Sequence, residues 1–236
     1  MRNLGCGCFP LVAAAMLWGG GQGLWTALQN REPTVMTCAE WIAARPSASW
    51  VRLTDCELLV DESAYETLLG ASKVRKAWIP VRSPGVEGPT PVVLRTQDGE
   101  ILGLLQEMIE LSDAVTAHAT AEQMRLQDPK YAEYLADQGA PPAPPAPDAD
   151  AWATAHAGEL RPVREITGLV AWGIELQSDE YEEIAALGRD ILAADFVVVD
   201  DGERPSLWFS AGMSAAGTVL AVISVLSLVG RFGKSA

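Results

Sequence analysis

The stretch Leu207–Gly230 carries no charged residue over its 24 positions. As a helix it would be about 36 Å long, which is enough to cross a hydrocarbon core of about 30 Å. Arg204 precedes the stretch, and Arg231 and Lys234 follow it, so charges begin where the apolar run stops. A buried hairpin of strands would need a turn signal, and only single glycines interrupt the run. The pattern predicts a transmembrane helix within residues 206–236, followed by a short basic tail.

A second apolar segment, Phe9–Leu28, lies inside an uncharged window and is also long enough to span a bilayer. We predict that residues 1–29 form an N-terminal transmembrane helix. A cleaved signal peptide is the alternative, since Arg2 and the short apolar run Leu11–Trp18 match its first two parts. No small-x-small cleavage site precedes Gln29, which favours a retained anchor.

Both predicted spans carry small residues at a spacing that allows two helices to approach closely in a membrane. Gly19 and Gly23 form a G-x-x-x-G pattern in the first span, and Gly212 and Ala216 lie four residues apart in the second. We expect these residues to contact a partner helix, either the other span or a helix of another subunit. The alternative is that glycine merely fills the first segment.

The region between the two spans predicts an α+β domain with a mixed sheet and short helices. It divides into a first α+β region at residues 30–138, a Pro/Ala-rich linker at 139–150 and a second α+β part at 151–205. The linker contains five prolines and no apolar side chain larger than proline, so it cannot bury a core and should be extended. Residue patterns predict strands at Trp50–Val60, Lys73–Arg82, Thr90–Thr96, Val163–Leu176 and Phe196–Val199, and helices from Cys38, over Glu100–Leu111, over Asp113–Gln138 and from Asp179. Similar spacing after Arg52-Leu53-Thr54 and after Glu165-Ile166-Thr167 raises the hypothesis of a duplicated unit.

Cys38 and Cys56 lie in the predicted soluble region, one at the start of a helix and the other in a strand. If this region is outside the cytoplasm, a disulfide would join the two elements. Closing the loop between them is worth about 3 kcal/mol in the chain-entropy model. In a reducing compartment the two residues would instead be buried thiols.

The charge of the chain is concentrated between its two apolar segments. Residues 31–204 contain 14 basic and all 31 acidic residues, a net charge of −17, whereas both ends are basic. Because Lys and Arg mark the cytoplasmic side of a membrane, we predict cytoplasmic termini and a periplasmic or extracellular loop at 30–205. The acidic surface excludes nucleic acid as a partner, since phosphate binding needs a basic face. Abundant alanine, and arginine in excess over lysine, favour a bacterial origin and hence a bacterial inner membrane.

No motif for catalysis or for cofactor binding is present in the sequence. His118 and His156 are the only histidines, and neither has a Cys, His or acidic residue at metal-ligand spacing. Nucleophile-elbow, phosphate-loop, dinucleotide and zinc-protease patterns are all missing. The sequence therefore predicts no cofactor, no metal and no catalytic residue.

The last 70 or so residues resemble the membrane-proximal domain between two transmembrane helices in organellar outer-membrane RING ubiquitin ligases and their bacterial relatives. The resemblance rests on Glu165-Ile166-Thr167-Gly168 opening a strand, Phe196–Val199 closing the domain, and a helix starting at Leu207. It implies a domain beside a membrane. Because no cysteine follows Cys56, a RING and its ligase activity are not implied.

Taken with the charge pattern, these features predict a two-pass membrane protein with an acidic extracytoplasmic domain. Its expected partners are the lipid bilayer and a membrane protein, or a second copy of itself. A non-enzymatic accessory or interaction subunit of a bacterial membrane complex is the function that this organisation favours. The alternative is a membrane-anchored, hydrolase-like enzyme whose site is assembled from dispersed polar residues.

Overall fold

The computed structural model describes residues 9–67, 73–127, 137, 145–172, 178–185 and 187–232. In chain order the elements are α1 (Phe9–Gln29), β1 (Thr34–Thr37), α2 (Cys38–Ala44), β2 (Trp50–Leu58), β3 (Ala64–Thr67), β4 (Val74–Arg82), β5 (Thr90–Thr96), α3 (Gly99–Gln127), α4 (Ala149–Ala155), α5 (Ala157–Leu160), β6 (Val163–Trp172), α6 (Ser178–Ala185), β7 (Leu192–Asp201) and α7 (Leu207–Phe232).

The seven strands form one mixed sheet in the order β1-β2-β6-β7-β5-β4-β3. The pairs β1–β2 and β5–β7 are parallel, and the other neighbouring pairs are antiparallel. β2 also pairs with β4, so that β2, β6, β7, β5 and β4 form a closed ring of strands. The α+β prediction is confirmed, and the two predicted soluble parts share a single sheet.

Alternation along the central strands distributes apolar side chains to both faces of the sheet. In β4, Ala77 and Ile79 belong to one buried cluster, whereas Trp78 between them belongs to a second. The same alternation occurs in β7, where Val197 and Val199 join the first cluster and Val198 joins the second. Each face of a strand receives every other residue, so apolar runs in these strands supply two cores.

The helices cover these two cores. α3 packs onto the first cluster through a stripe that includes Ile101, Leu104 and Leu105, as its periodicity predicted. α6 covers the second cluster with Ile184, and Leu187 just after the helix packs there as well. A capping box opens α2, the helix predicted from Cys38: the Glu40 backbone N–H donates to Thr37 Oγ1 at 3.2 Å, and the Thr37 N–H donates to Glu40 Oε2 at 2.8 Å.

Several predicted boundaries differ from the structure. The linker prediction of 139–150 was too long at its end, because Asp148 accepts a hydrogen bond from the Ala151 N–H at 2.8 Å and caps α4 from Ala149. β7 is ten residues long rather than four, since pairing with β5 and β6 extends it through polar residues on both sides. Residues 139–144 of the predicted linker lie outside the described residues, as do residues 128–136 of the helix predicted over Asp113–Gln138.

Gly168 lies where the backbone of β6 approaches the backbone of β7 closely. It pairs with Asp201 across the β6–β7 ladder, and a Cβ atom at this position would lie 2.7 Å from the carbonyl carbon of Asp200. No side chain fits in that space without moving the strand. Glycine is therefore required here for packing rather than for an unusual dihedral angle.

α1 and α7 lie beside each other and outside the two cores of the sheet. Within the described residues, α7 is the one helix whose length and apolar composition suffice to cross a membrane, over Leu207–Leu226 with a mean hydropathy of 1.8. α1 has 21 residues and no charge, but its glycines and polar residues lower its mean hydropathy, so it is not apolar enough to meet the same criterion as α7.

Candidate functional site: an antiparallel helix pair and an ionic pocket

The helix pair is held together at positions where side chains are absent or small. A Cβ atom at Gly20 would lie 2.7 Å from the backbone nitrogen of Ser214, and one at Gly217 would lie 2.9 Å from that of Leu17. Further along α1, Gly23 faces Ser210 in the same way. As the residue number in α1 increases, the number of the contacted residue in α7 decreases, so the two helices are antiparallel. The backbones approach closely, which is how helices associate in lipid.

Small residues recur every seven positions on both helices of this interface. On α1 they are Ala13, Gly20 and Ala27, and all three are buried. On α7 they are Ser210, Gly217 and Ser224, which are also buried. A seven-residue repeat keeps one seam of each helix facing the other over its full length.

The outward faces of the pair are apolar and exposed. Only 11% of the most apolar window of α7 is buried, and Trp208 at the domain end of α7 is 89% exposed. Large apolar side chains are exposed on both helices: Leu11, Val12, Trp18, Trp25 and Leu28 on α1, and Leu207, Phe209, Val219, Val222, Ile223, Val225 and Leu226 on α7. A surface of this kind is unusual for a protein in water.

The four residues predicted to pack helices lie in two different environments. Gly23 lies in the α1–α7 interface, whereas Gly19 and Gly212 have no atom within 4 Å of the position that a Cβ would take. Ala216 is exposed. The contact between the helices thus uses Gly20 and Gly217 beside Gly23, and it leaves the Gly212 and Ala216 side of α7 open. The seven-residue spacing was the sequence signal that could have located this interface.

An apolar groove of about 360 Å³ lies along that open side of α7. It is lined by Met16 of α1 and by residues of the first three turns of α7, namely Trp208, Phe209, Gly212, Met213 and Ala216. The aromatic side chains lie at the end nearest the domain. The groove is therefore bounded by large side chains and has bare helix backbone at Gly212.

A second concavity, the ionic pocket, lies on the domain and measures about 440 Å³. Its lining brings together residues from four strands and the turn that leads to α7: Lys76, Arg95, Gln97, Leu169, Asp200, Asp201 and Glu203. The sequence did not predict this pocket, because its residues are spread over 128 positions and meet only when β6 and β7 pair beside β5.

Ion pairs link the charged groups of the pocket to one another and to α6. Lys76 Nζ donates to Glu180 Oε1 at 2.9 Å, and Arg95 Nη1 donates to Glu180 Oε2 at 3.0 Å. The Arg95 Nε and Nη2 groups donate to the two oxygens of Asp200. Asp201 accepts a hydrogen bond from the Thr96 hydroxyl at 2.6 Å.

The pKa shifts in this network follow from burial and from these partners. Burial opposes the ionised form of Glu180, but hydrogen bonds and charge from Lys76 and Arg95 outweigh it and lower the pKa of that carboxyl group. The hydrogen bond to Asp200 raises the pKa of Arg95. The network therefore favours the ionised forms of Glu180 and Arg95.

The described side chains of the ionic pocket support ion pairing and little other chemistry. No Ser, Cys or His is among the described residues found to line the ionic pocket, so this lining does not supply a hydroxyl or thiol nucleophile paired with a histidine base. In the described part of the chain no three His, Cys, Asp or Glu residues are arranged to hold a metal. His156 stacks on Trp152 with ring centroids 4.3 Å apart. Neither residue is among those found to line the ionic pocket.

Cys38 and Cys56 are brought together by the fold. Cys38 begins α2, Cys56 lies on β2, and both are fully buried in the first cluster. They are free thiols in the structure. Hydrogen bonding to Cys38, together with burial, raises the pKa of the Cys56 thiol. The disulfide stays a prediction: the two thiols are hydrogen-bonding neighbours, but in the structure they are not at the distance of a disulfide bond.

No protein-family model, curated protein or solved structure matches the chain. The resemblance to the membrane-proximal domain of organellar RING ligases therefore stays a prediction from the sequence.

Proposed function

We propose that the protein is a two-pass membrane protein of a bacterial inner membrane that acts as a non-enzymatic accessory or interaction subunit. The observation that carries this proposal is the α1–α7 pair, which buries small residues in its seam and exposes large apolar residues outside. In a bilayer the exposed apolar side chains carry no solvation penalty, because lipid surrounds them. In water the same surface would aggregate.

The proposal requires α1 to cross the membrane, although its mean hydropathy alone supports this weakly. Close packing on α7 supplies the remaining stability, since Ala13, Gly20 and Ala27 face α7 rather than lipid. The antiparallel arrangement puts the end of α1 and the start of α7 on the same side as the domain. The domain then lies against the membrane, with only residues 204–206 between Glu203 and α7.

Reporter fusions test this topology. A reporter that is active only outside the cytoplasm is placed after Gly139 in one chain and after Ala236 in another. We expect activity at Gly139 and none at Ala236, because the positive termini stay inside. A cytoplasmic reporter at the same two sites is the control and should give the reverse pattern. Equal signals at both sites would show that one helix does not span.

A membrane-anchored, hydrolase-like enzyme is the second candidate, and the ionic pocket is the observation that favours it. Clustered ionisable groups in a concave site are typical of active sites. Against it, Lys76, Arg95 and Asp200 are engaged in ion pairs with one another or with α6. Purified full-length protein is assayed on chromogenic esters, amides and phosphate esters. Turnover that Asp201→Asn abolishes would favour the enzyme over the accessory subunit.

A further inference from the structure

We propose that the apolar groove of α7 receives a transmembrane helix of a different protein, and that this helix is followed on the domain side by Lys or Arg. The inference rests on the membrane role proposed above and adds the site and the kind of partner. It is carried by the geometry of the groove and by the charge of the domain above it.

The groove has the form that a packed helix needs. At Gly212 no atom lies within 4 Å of a Cβ position, and one turn later Ala216 is exposed, so the α7 backbone is accessible over two turns. Trp208 and Phe209 form its wall at the domain end, and Met16 and Met213 complete the lining. Helices in lipid associate by van der Waals contact at such places, because no hydrophobic drive brings them together.

The first helix of the same chain does not fill the groove. α1 contacts α7 through Ser210, Ser214 and Gly217, and it contributes only Met16 to the groove lining. Among the described helices, only α1 packs extensively on α7, so a helix in the groove is expected to come from another chain.

The charge of the domain disfavours a second copy of this protein as that chain. Helices that pack together have axes about 8–10 Å apart. Because only three residues lie between Glu203 and the start of α7, two copies packed through this groove would hold their domains side by side. Each domain segment carries −17, and at contact the repulsion is not removed by screening over about 8 Å. A basic partner experiences attraction instead.

Glu203, which lines the ionic pocket, provides the negative charge for this attraction at the groove end of the domain. Lys76 and Arg95 are neutralised by Glu180 and Asp200, whereas Glu203 has no ion-pair partner among the described residues. Trp208 comes five positions after Glu203, so the chain between them spans at most about 18 Å. A Lys or Arg directly after the partner helix would therefore have at most about that distance to bridge to this carboxylate.

Site-specific photo-crosslinking in native membranes tests the proposal. A photoreactive residue replaces Ala216 in one full-length chain and Ala215 in another, and cross-linked products are identified by peptide sequencing. Both positions are exposed, but only Ala216 lines the groove. We expect a product from position 216 at least tenfold above that from 215, with a protein whose transmembrane helix has Lys or Arg on the domain side.

Two substitutions probe the two parts of the site. Gly212→Leu should reduce the product at least tenfold by filling the groove. Glu203→Gln should reduce it severalfold, and Glu122→Gln, the same change on the exposed part of α3, should not. Protease resistance of the domain checks that each variant is folded.

The possible outcomes separate this inference from the membrane role. Cross-linking to a second copy, to lipid alone, or to a helix with neutral or acidic flanks would overturn the inference, as would equal yields at 215 and 216. If the chain resists alkaline carbonate extraction in these cases, membrane anchoring is retained. Release by carbonate would instead refute the anchoring itself.

Discussion

Glu180 is the carboxylate that fastens α6 to the sheet, and replacing it by glutamine tests the ion network directly. Its side chain is 13% exposed and accepts hydrogen bonds from Lys76 on β4 and Arg95 on β5. Glu180→Gln keeps the volume of the side chain and removes its charge. Both cations then lose their shared partner.

The size of the effect follows from what the cations keep. Removing one partner of a buried ion pair costs about 3–5 kcal/mol. Here Arg95 retains Asp200, and Lys76 retains Glu66 with its nearest oxygen at 3.5 Å. All three side chains are also partly exposed. We therefore expect about 2 kcal/mol, which corresponds to about 30-fold in the equilibrium for opening α6.

The pH dependence of this effect has a defined sign. The pKa of Glu180 is lowered in the folded protein, so its contribution is fully present above the unfolded pKa of about 4.3. The contribution is lost as the pH falls through the lower, folded pKa. The difference between the native chain and Glu180→Gln should be full at pH 7 and should vanish in acid.

Hydrogen exchange of the full-length protein in mild detergent measures the opening of α6. Peptides that cover Ser178–Ala185 should exchange about 30-fold faster in Glu180→Gln at pH 7. Glu182→Gln, the same change at an exposed position of α6, is the matched control and should leave exchange unaltered. Equal exchange in the native chain and Glu180→Gln would refute the reasoning, as would equal acceleration in both variants.

Three further predictions concern close contacts. Gly168→Ala should lower the free energy of unfolding by about 1–3 kcal/mol, because its methyl group would overlap the β7 backbone, and guanidinium titration in detergent measures this. Gly217→Leu should separate α1 from α7, which energy transfer between dyes on the two helices would report as a longer distance. Cys38 and Cys56 should be joined in protein from intact cells if the domain lies outside the cytoplasm, and alkylation without reductant followed by mass mapping decides this.

Each of these predictions has a control or a contradicting result. Gly158→Ala adds the same methyl group in open space, so an equal loss of stability there would remove the packing argument for Gly168. Ala215→Leu lies outside the α1 contact, and a change of distance in that variant would contradict the assigned interface. Alkylated thiols at Cys38 and Cys56 would reject both the bridge and the extracytoplasmic placement.

Local patterns in the sequence were sufficient to predict most elements of the domain. The helix predicted from Cys38 begins at that residue, and the strand Thr90–Thr96 was predicted with the bounds that it has. These signals depend on neighbouring residues and on alternation, which the sequence contains directly. Helix α6, predicted from Asp179, begins one residue earlier at Ser178, and a turn at Gly188, where φ is +94°, follows it.

Features that depend on distant residues could not be predicted in this way. Nothing local indicates that β6 lies between β2 and β7, or that Arg52 on β2 faces Thr167 on β6. That pairing joins the two stretches of the hypothetical duplication, a relation that spacing alone did not suggest. The ionic pocket depends on the same long-range strand order, which is why it could not be predicted from the sequence.

The interface of the helix pair was predictable in kind but not in position. The sequence indicated that small residues would mediate it, and Gly23 does so. Which face of α7 meets α1 depends on a repeat of seven, and a four-residue motif points to a different side of the helix. Gly212 and Ala216 lie on that other side, where the groove is.

The order of strands in the sheet has a consequence for synthesis of the chain. β6 and β7 are inserted between β2 and β5, although they are made last. A growing chain that has released only its first 127 residues has α1 available for the membrane, while β2 and β5 each lack a neighbour. Exposed strand edges of this kind are templates for pairing with other chains. Interrupting translation before Val163 should therefore yield a product that aggregates, whereas release of β7 completes the ring just before α7 emerges.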